Sequence, residues 1–215
     1  MQSNTSSIPE HSRQLLEAGL NQFKLKLDQQ QINQMLDFVG LIAKWNRTHN
    51  LTAITDIDDM INKHLLDSLS VAEFLPSGEV LDVGSGAGLP GVPLAIVSTN
   101  NSFTLVDSSL KRIGFLKEVK RKLVLTNINP IHSRVEQLDN PGFDIIMSRA
   151  YSSLENMLSQ TQHLLAKNGR WLAMKGTYPE SEVSEVSDHY KIVKSTKLTV
   201  PGLDAERHLI EISRA

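Results

Sequence analysis

The order of apolar runs along this 215-residue chain predicts an α/β fold: a helical extension over residues 1–75, then a doubly wound, mostly parallel sheet over 76–215 that ends in an antiparallel hairpin. Three observations predict it. Apolar residues before Leu75 recur at helical spacing; from Glu79 the pattern becomes seven short apolar runs; and helix-length segments separate the early runs, whereas a short connection joins the last two.

Ile32, Met35, Leu36, Val39, Ile42 and Ala43 fall on one helical face. A second face runs through Ile57, Met60, Ile61, His64, Leu65, Ser68, Leu69 and Ala72, with "TD" as its cap and "PSG" as its end. The runs "EVLDV", "FTLVD", "INPIH", "FDIIM" and "RWLAMK" read as strands joined by right-handed crossovers, with helices on both faces. "YKIVKST" and "RHLIEIS" are linked through "PGLDA", too short for a helix, so they pair antiparallel.

Composition excludes several classes. The chain has no cysteine, which rules out disulfides, thiolate metal sites and cysteine nucleophiles. Lys plus Arg is 22 against 24 for Asp plus Glu, so binding to a polyanion needs a local basic face. The polar start "MQSNTSSIPEHSRQ" lacks a signal-peptide core and no long apolar run is present, so a soluble cytoplasmic protein that avoids membranes is expected. No His, Asp and Glu cluster has metal-ligand spacing, and no metal is expected.

The first strand leads into "GSGAGLPGVP", four glycines and two prolines in ten residues. In an open α/β sheet this turn approaches the ligand most closely. Gly84, Gly86 and Gly88 remove Cβ atoms and permit positive φ, while Pro90 and Pro93 suit the first turn of the next helix. Leu89 stands where a dinucleotide fingerprint has its third glycine, and no Gly-Lys-Ser/Thr of a P-loop is present after the turn. Asp82, just before the turn, suits a cation better than a pyrophosphate, which favours S-adenosylmethionine over NAD. Asp107, ending the second strand, suits both hydroxyls of an adenosine ribose in either cofactor.

The segments "LDVGSGAGLPGVPLAI", "LVDSSLKRIGFLKEV", "SRVEQL", "FDIIMSRAYSSL", "WNRTHNLTAI" and "KHLLDSL" resemble the class I S-adenosylmethionine-dependent methyltransferases. Within them the chain resembles the bacterial 16S ribosomal RNA guanine-N7 methyltransferases, the glucose-inhibited division protein B family, from about Gln30 onward. The resemblance implies a seven-stranded sheet behind a helical extension, with Gly84, Leu89, Val135, Glu136 and Arg149 at the cofactor. It also implies 16S ribosomal RNA, or a small-subunit assembly intermediate, as partner to a monomer.

From the residues alone, Glu136 reads equally well as an adenine-side acid or as a solvated first-turn residue. Arg149, past the fourth strand, can hold a guanine O6 or a phosphate and is the candidate catalytic residue; its alternative is a surface ion pair. "SRAY" departs from the Asn/Asp-Pro-Pro-aromatic pattern of amino-group methyltransferases, and without a thiolate cytosine C5 is excluded. Guanine N7 needs no base, because its lone pair is already free. Candidate RNA contacts are Lys175, Arg47 and His64, although His64 lies on an apolar face and Trp45 beside Arg47 has the alternative of packing on the sheet. The run "LKRIGFLKEVKRKL" is either a phosphate-binding face or a solvated one. An NAD-dependent oxidoreductase, a small-molecule methyltransferase and a non-catalytic RNA-binding or ribosome-assembly factor are the competing functions.

Overall fold

A computed structural model describes residues 8–139 and 142–215; residues 1–7 of the polar N-terminal stretch lie outside the described residues. Helix α1 (Glu10–Gln22) precedes α2 (Gln29–His49), which Asp28 and Gln31 start through reciprocal hydrogen bonds of 2.8 and 3.1 Å. The Gln31 side chain then donates to the Ile96 carbonyl, and Gln34 donates to that of Leu123, so α2 satisfies backbone acceptors near two helix ends of the sheet layer. Asn50, in the left-handed region, ends α2.

The second predicted helix is one continuous stretch, α3 (57–69), capped by Asp56 on the Asp59 N–H. Its middle is not α-helical: Ile61–Leu66 forms a π-helical turn between Ile57–Met60 and Asp67–Leu69. The wider turn changes the facing of the Asp67–Leu69 segment, and both Asp67 and Ser68 are buried.

All seven predicted strands are present: β1 (Glu79–Val83), β2 (Ser102–Asp107), β3 (Ile128–His132), β4 (Phe143–Arg149), β5 (Leu165–Lys175), β6 (Tyr190–Leu198) and β7 (Arg207–Arg214). They form one sheet in the order β3-β2-β1-β4-β5-β7-β6, parallel except for β7, which runs antiparallel to both neighbours. Helices α4 (Gly91–Val97) and α5 (Leu110–Leu123) make the first two crossovers. Among its described residues the connection from β3 to β4 instead carries a single 3-10 turn, Val135–Gln137.

Alternation along the strands assigns the two layers. Val80, Phe103, Leu105, Ile145 and Met147 pack with the extension and with α4 and α5, while Leu81, Val83, Val106 and Ile146 pack with α6 (Leu154–Thr161) and Trp171. The first cluster runs without a break from Leu16 and Phe38 to Phe115 and Val119. Phe38 stacks on Phe115 at 6.3 Å, and Trp45 meets the same ring edge-on at 5.5 Å. Of the two readings for Trp45, it packs against the sheet domain, on Phe115 of α5.

Phe38 is fully buried, so Phe38→Ala is expected to lower the unfolding free energy by about 3–5 kcal/mol. Urea denaturation followed by both far-UV and tryptophan signals measures this. If the extension and sheet share one core, the two signals move together in the variant.

Candidate active site

The parallel strands bring Val83, Asp107, His132, Arg149 and Lys175 to one edge of the sheet, and antiparallel β7 brings its first residues, Arg207 and His208, to the same edge. Strand order reverses between β2-β1 and β1-β4, and two cavities open there.

The first, about 310 Å³, is lined by Gly84, Asp107, Val135, Glu136, Arg134 and Tyr151 among others. The glycine loop crosses the end of β2: Ser85 N–H donates to the Val106 carbonyl, and Gly86 N–H donates to Asp107 Oδ2 at 3.0 Å. Gly84, Gly86 and Gly88 have φ of +67°, +57° and +84°. The expectation that their missing Cβ atoms clear room for a ligand is corrected at two positions. At Gly84 a Cβ would lie 2.5 Å from the Tyr151 ring, and at Gly88 it would lie 2.7 Å from Leu116 and Val92; at Gly86 it would make only ordinary contact, 3.8 Å from the Gly84 carbonyl oxygen. Pro90 is the N-cap of α4, and Pro93 lies in its first turn.

Asp107 is buried and saturated on several sides. Oδ1 accepts from Ser109 N–H at 2.8 Å, and Oδ2 accepts from Gly86 N–H and from Arg112, the latter at 3.2 Å. The half-exposed Arg112 is the partner a ligand can displace. Asp82, expected beside a ligand cation, lines neither cavity. It is 1% exposed, its Oδ2 accepts from Gly91 N–H at 2.9 Å, and its Oδ1 has no partner. Burial pushes its carboxyl up to about 7, against the opposing pull of the Gly91 N–H and of Arg149. In this arrangement Asp82 holds the loop to the start of α4. Gly86, Gly88 and Leu89 also lie outside the cavity lining, and Leu89 sits in the core.

The second cavity, about 440 Å³, is lined by His64, Asp67, Arg149, Lys175, Arg207 and His208 among others; Ala150, at φ +54°, lines both. Arg149 is no surface ion pair: its Nη1 donates to Asp67 Oδ2 at 2.8 Å and to the Lys63 carbonyl at 3.1 Å. Arg207 Nε donates to the other Asp67 oxygen at 2.7 Å. Lys175 Nζ is held by Glu182 Oε2 and the Ser152 carbonyl. His64 Nδ1–H donates to the Lys63 carbonyl, while the Thr52 hydroxyl, accepting from Ile54 N–H, donates to Nε2. Burial and then Arg149 push His64 down to about 4, so the imidazole is neutral.

Arg47 lies exposed at the end of α2 and lines neither cavity, and the basic residues of α5 accompany the buried stripe Ile113, Leu116, Val119 and Leu123 on a solvated helix. Arg207 and Tyr151 were not anticipated from sequence, and Arg112 was expected only within the phosphate-binding run of α5, not on Asp107. Asp67 was signalled by its place in "KHLLDSL", one turn on from His64 with Ser68 on a face that could turn toward the cleft. Among the described residues no group of His, Asp or Glu can hold a metal ion, and no helix is long and apolar enough to cross a membrane.

The fold is that of the class I S-adenosylmethionine-dependent methyltransferases. A Synechocystis PCC 6803 magnesium protoporphyrin IX methyltransferase with bound SAM matches at a TM-score of 0.59 and 17% identity, over 88% of this chain and 99% of the other. A SAM-dependent methyltransferase from Aquifex aeolicus matches at 0.58 and 16%, over 72% and 92%.

The family model for rRNA small subunit methyltransferase G (GidB) matches residues 31–210. Proteins named ribosomal RNA small subunit methyltransferase G are 48% identical in Legionella pneumophila (94% of each chain), 44% in Idiomarina loihiensis (94% and 98%) and 42% in Pseudomonas aeruginosa (97% and 99%). The chain belongs to the GidB family.

The neutral His64 gives a pH test. Its folded pKa lies below the usual 6.5, so between about 6.5 and about 4 the unfolded chain takes up a proton that the folded chain refuses, and stability falls as pH falls through that window. Urea titrations of wild type and His64→Gln across it are expected to show the wild-type advantage shrinking. A flat difference means His64 is charged in the fold.

Proposed function

We propose that the protein transfers a methyl group from S-adenosylmethionine to N7 of a guanine in 16S ribosomal RNA, as a cytoplasmic monomer acting on the RNA or on a small-subunit assembly intermediate. The observation that carries this reading is the pair of cavities meeting at Ala150, one with a ribose-type acid and the other with guanidinium groups. The names of the relatives supply the ribosomal RNA.

The first cavity fits the cofactor by its donor set. Asp107 accepts the ribose hydroxyls once Arg112 is displaced, Val135 and Glu136 face the adenine, and Gly84 with the Gly86 backbone borders the remainder. The orphaned Asp82 Oδ1 lies beneath the loop, where a nearby cation favours its ionised form. Bound there, the cofactor supplies an electrophilic methyl group. Guanine N7 carries its own lone pair, so the site is asked for alignment and charge stabilisation and for no proton transfer. A His64 kept neutral by burial and by Arg149, which together outweigh the opposing pull of Asp67, agrees with that demand.

Arg149 is the residue assigned to the base. Its Nη1 is fixed by Asp67 and Lys63, which leaves its other N–H groups for the guanine O6, the acceptor edge beside N7. Lys175 and His64 form the pocket wall, and Arg47 is an outlying phosphate contact. Residues 1–75 form an RNA-side extension to a catalytic unit at 76–215.

Ribosomal RNA from a strain lacking this protein, incubated with enzyme and methyl-labelled cofactor, is expected to yield labelled 7-methylguanosine on nuclease digestion. Cofactor binding without label in RNA would favour a small-molecule methyltransferase or a non-catalytic assembly factor. Arg149→Ala is expected to remain folded, to bind cofactor within a few-fold of wild type, and to lose about 10²-fold in methyl-transfer rate. Wild-type turnover in that variant removes Arg149 from the mechanism.

A further inference from the structure

The acceptor side of the site is built from three chain segments that approach one carboxylate. Asp67 comes from the helical extension, just past the π-helical turn of α3; Arg149 ends β4; Arg207 begins β7. β4 and β7 both pair with β5 and lie on either side of it, so their backbones are two strand spacings, roughly 10 Å, apart. Two guanidinium groups reaching inward from these positions repel each other unless an anion stands between them. Asp67 is that anion. Its side chain is 3% exposed, and each oxygen takes one arginine, at 2.8 and 2.7 Å, while the arginines keep 20% and 25% of their surface toward the cavity.

The other charges on the wall are matched separately. Lys63 pairs with Asp59 at 2.9 Å and Lys175 with Glu182 at 2.8 Å. His64 is neutral, so the Asp67 cluster leaves one uncompensated positive charge at the pocket.

We infer that Asp67 is a positioning residue of the reaction: it fixes Arg149 against the base and sets Arg207 as a second acceptor contact, for the phosphate of the target nucleotide. This rests on the proposed acceptor being a nucleotide in RNA. Arg207 retains N–H donors after binding Asp67 and the Glu206 carbonyl, and a guanidinium fork suits a phosphate. With Asp67 removed, the arginines lose their common reference and the base is held in the wrong place.

The test uses the full chain with wild type, Asp67→Asn, Arg207→Ala and the double variant. Cofactor affinity by calorimetry is expected to stay within about threefold, because Asp67 does not line the first cavity. The single-turnover methyl-transfer rate at saturating RNA is expected to fall about 10²-fold in Asp67→Asn, the scale of a misplaced reacting group. Arg207→Ala is expected to raise the half-saturating RNA concentration, and to add little in the Asp67→Asn background. Wild-type transfer by Asp67→Asn overturns the inference, as do fully additive losses in the cycle.

Two further readouts separate the possible failures. Asp67→Glu keeps the charge at a different reach, so it reports misplacement even if Asp67→Asn does not fold; a wild-type rate in it overturns positioning. Nitrogen-15 spectra of the arginine side chains in the free enzyme are expected to show slowed guanidinium rotation at Arg149, and fast rotation in the variants argues that the link exists. If wild type does not methylate ribosomal RNA while this slow rotation is present, the proposed acceptor is wrong and the Asp67 linkage stands; fast rotation in wild type removes the linkage itself.

Discussion

The handedness of the crossovers is the constraint on which the rest depends. Because β1 to β2 to β3 must wind one way and the chain must then return past β1 to start β4, the loops at the ends of β1 and β4 leave the sheet in divergent directions. The gap between them is created by topology before any side chain is chosen. Asp107, the Val135–Gln137 turn, Arg149 and Lys175 border it because each lies at or just past the carboxyl end of a parallel strand. Reversing β7 brings one more strand start, and with it Arg207, to the same edge.

Much of this was legible in the sequence, because strand runs and helical faces are local patterns. All seven strands, the closing hairpin, the Asp56 cap and the buried face of α2 can be read from spacing alone. The glycine loop was legible as the turn after the first strand, but the use of each glycine was not. Gly84 and Gly88 are required by Tyr151 and by Leu116 with Val92, neighbours that only tertiary packing supplies. Asp82 misled for a similar reason: an acid beside a ligand loop reads as a ligand contact, whereas the backbone N–H of Gly91 claims one of its oxygens.

The least legible part is the acceptor side. Asp67 and Arg207 stand 140 positions apart, and no periodicity within either segment points to the other. The π-helical turn is equally silent, since "INKHLL" fits an ordinary helix. Yet Asp67, which the predicted apolar face leaves out, is buried just past that turn with an arginine on each oxygen, so the helical extension supplies part of the second cavity's wall as well as a cover over the sheet. The continuous core from Leu16 to Val119 gives the contribution its rigidity. A carboxylate that must hold two guanidinium groups within hydrogen-bond range tolerates little relative motion of the parts that carry them.

Ala150 occupies the left-handed region although it is not glycine, and its small side chain stands where the two cavities adjoin. Among the described residues it is the one that borders both cavities, so a change at this position reaches both at once. A bulkier residue there meets an unfavourable backbone conformation and takes space beside each cavity. A glycine relieves the backbone and leaves the rest of each lining untouched.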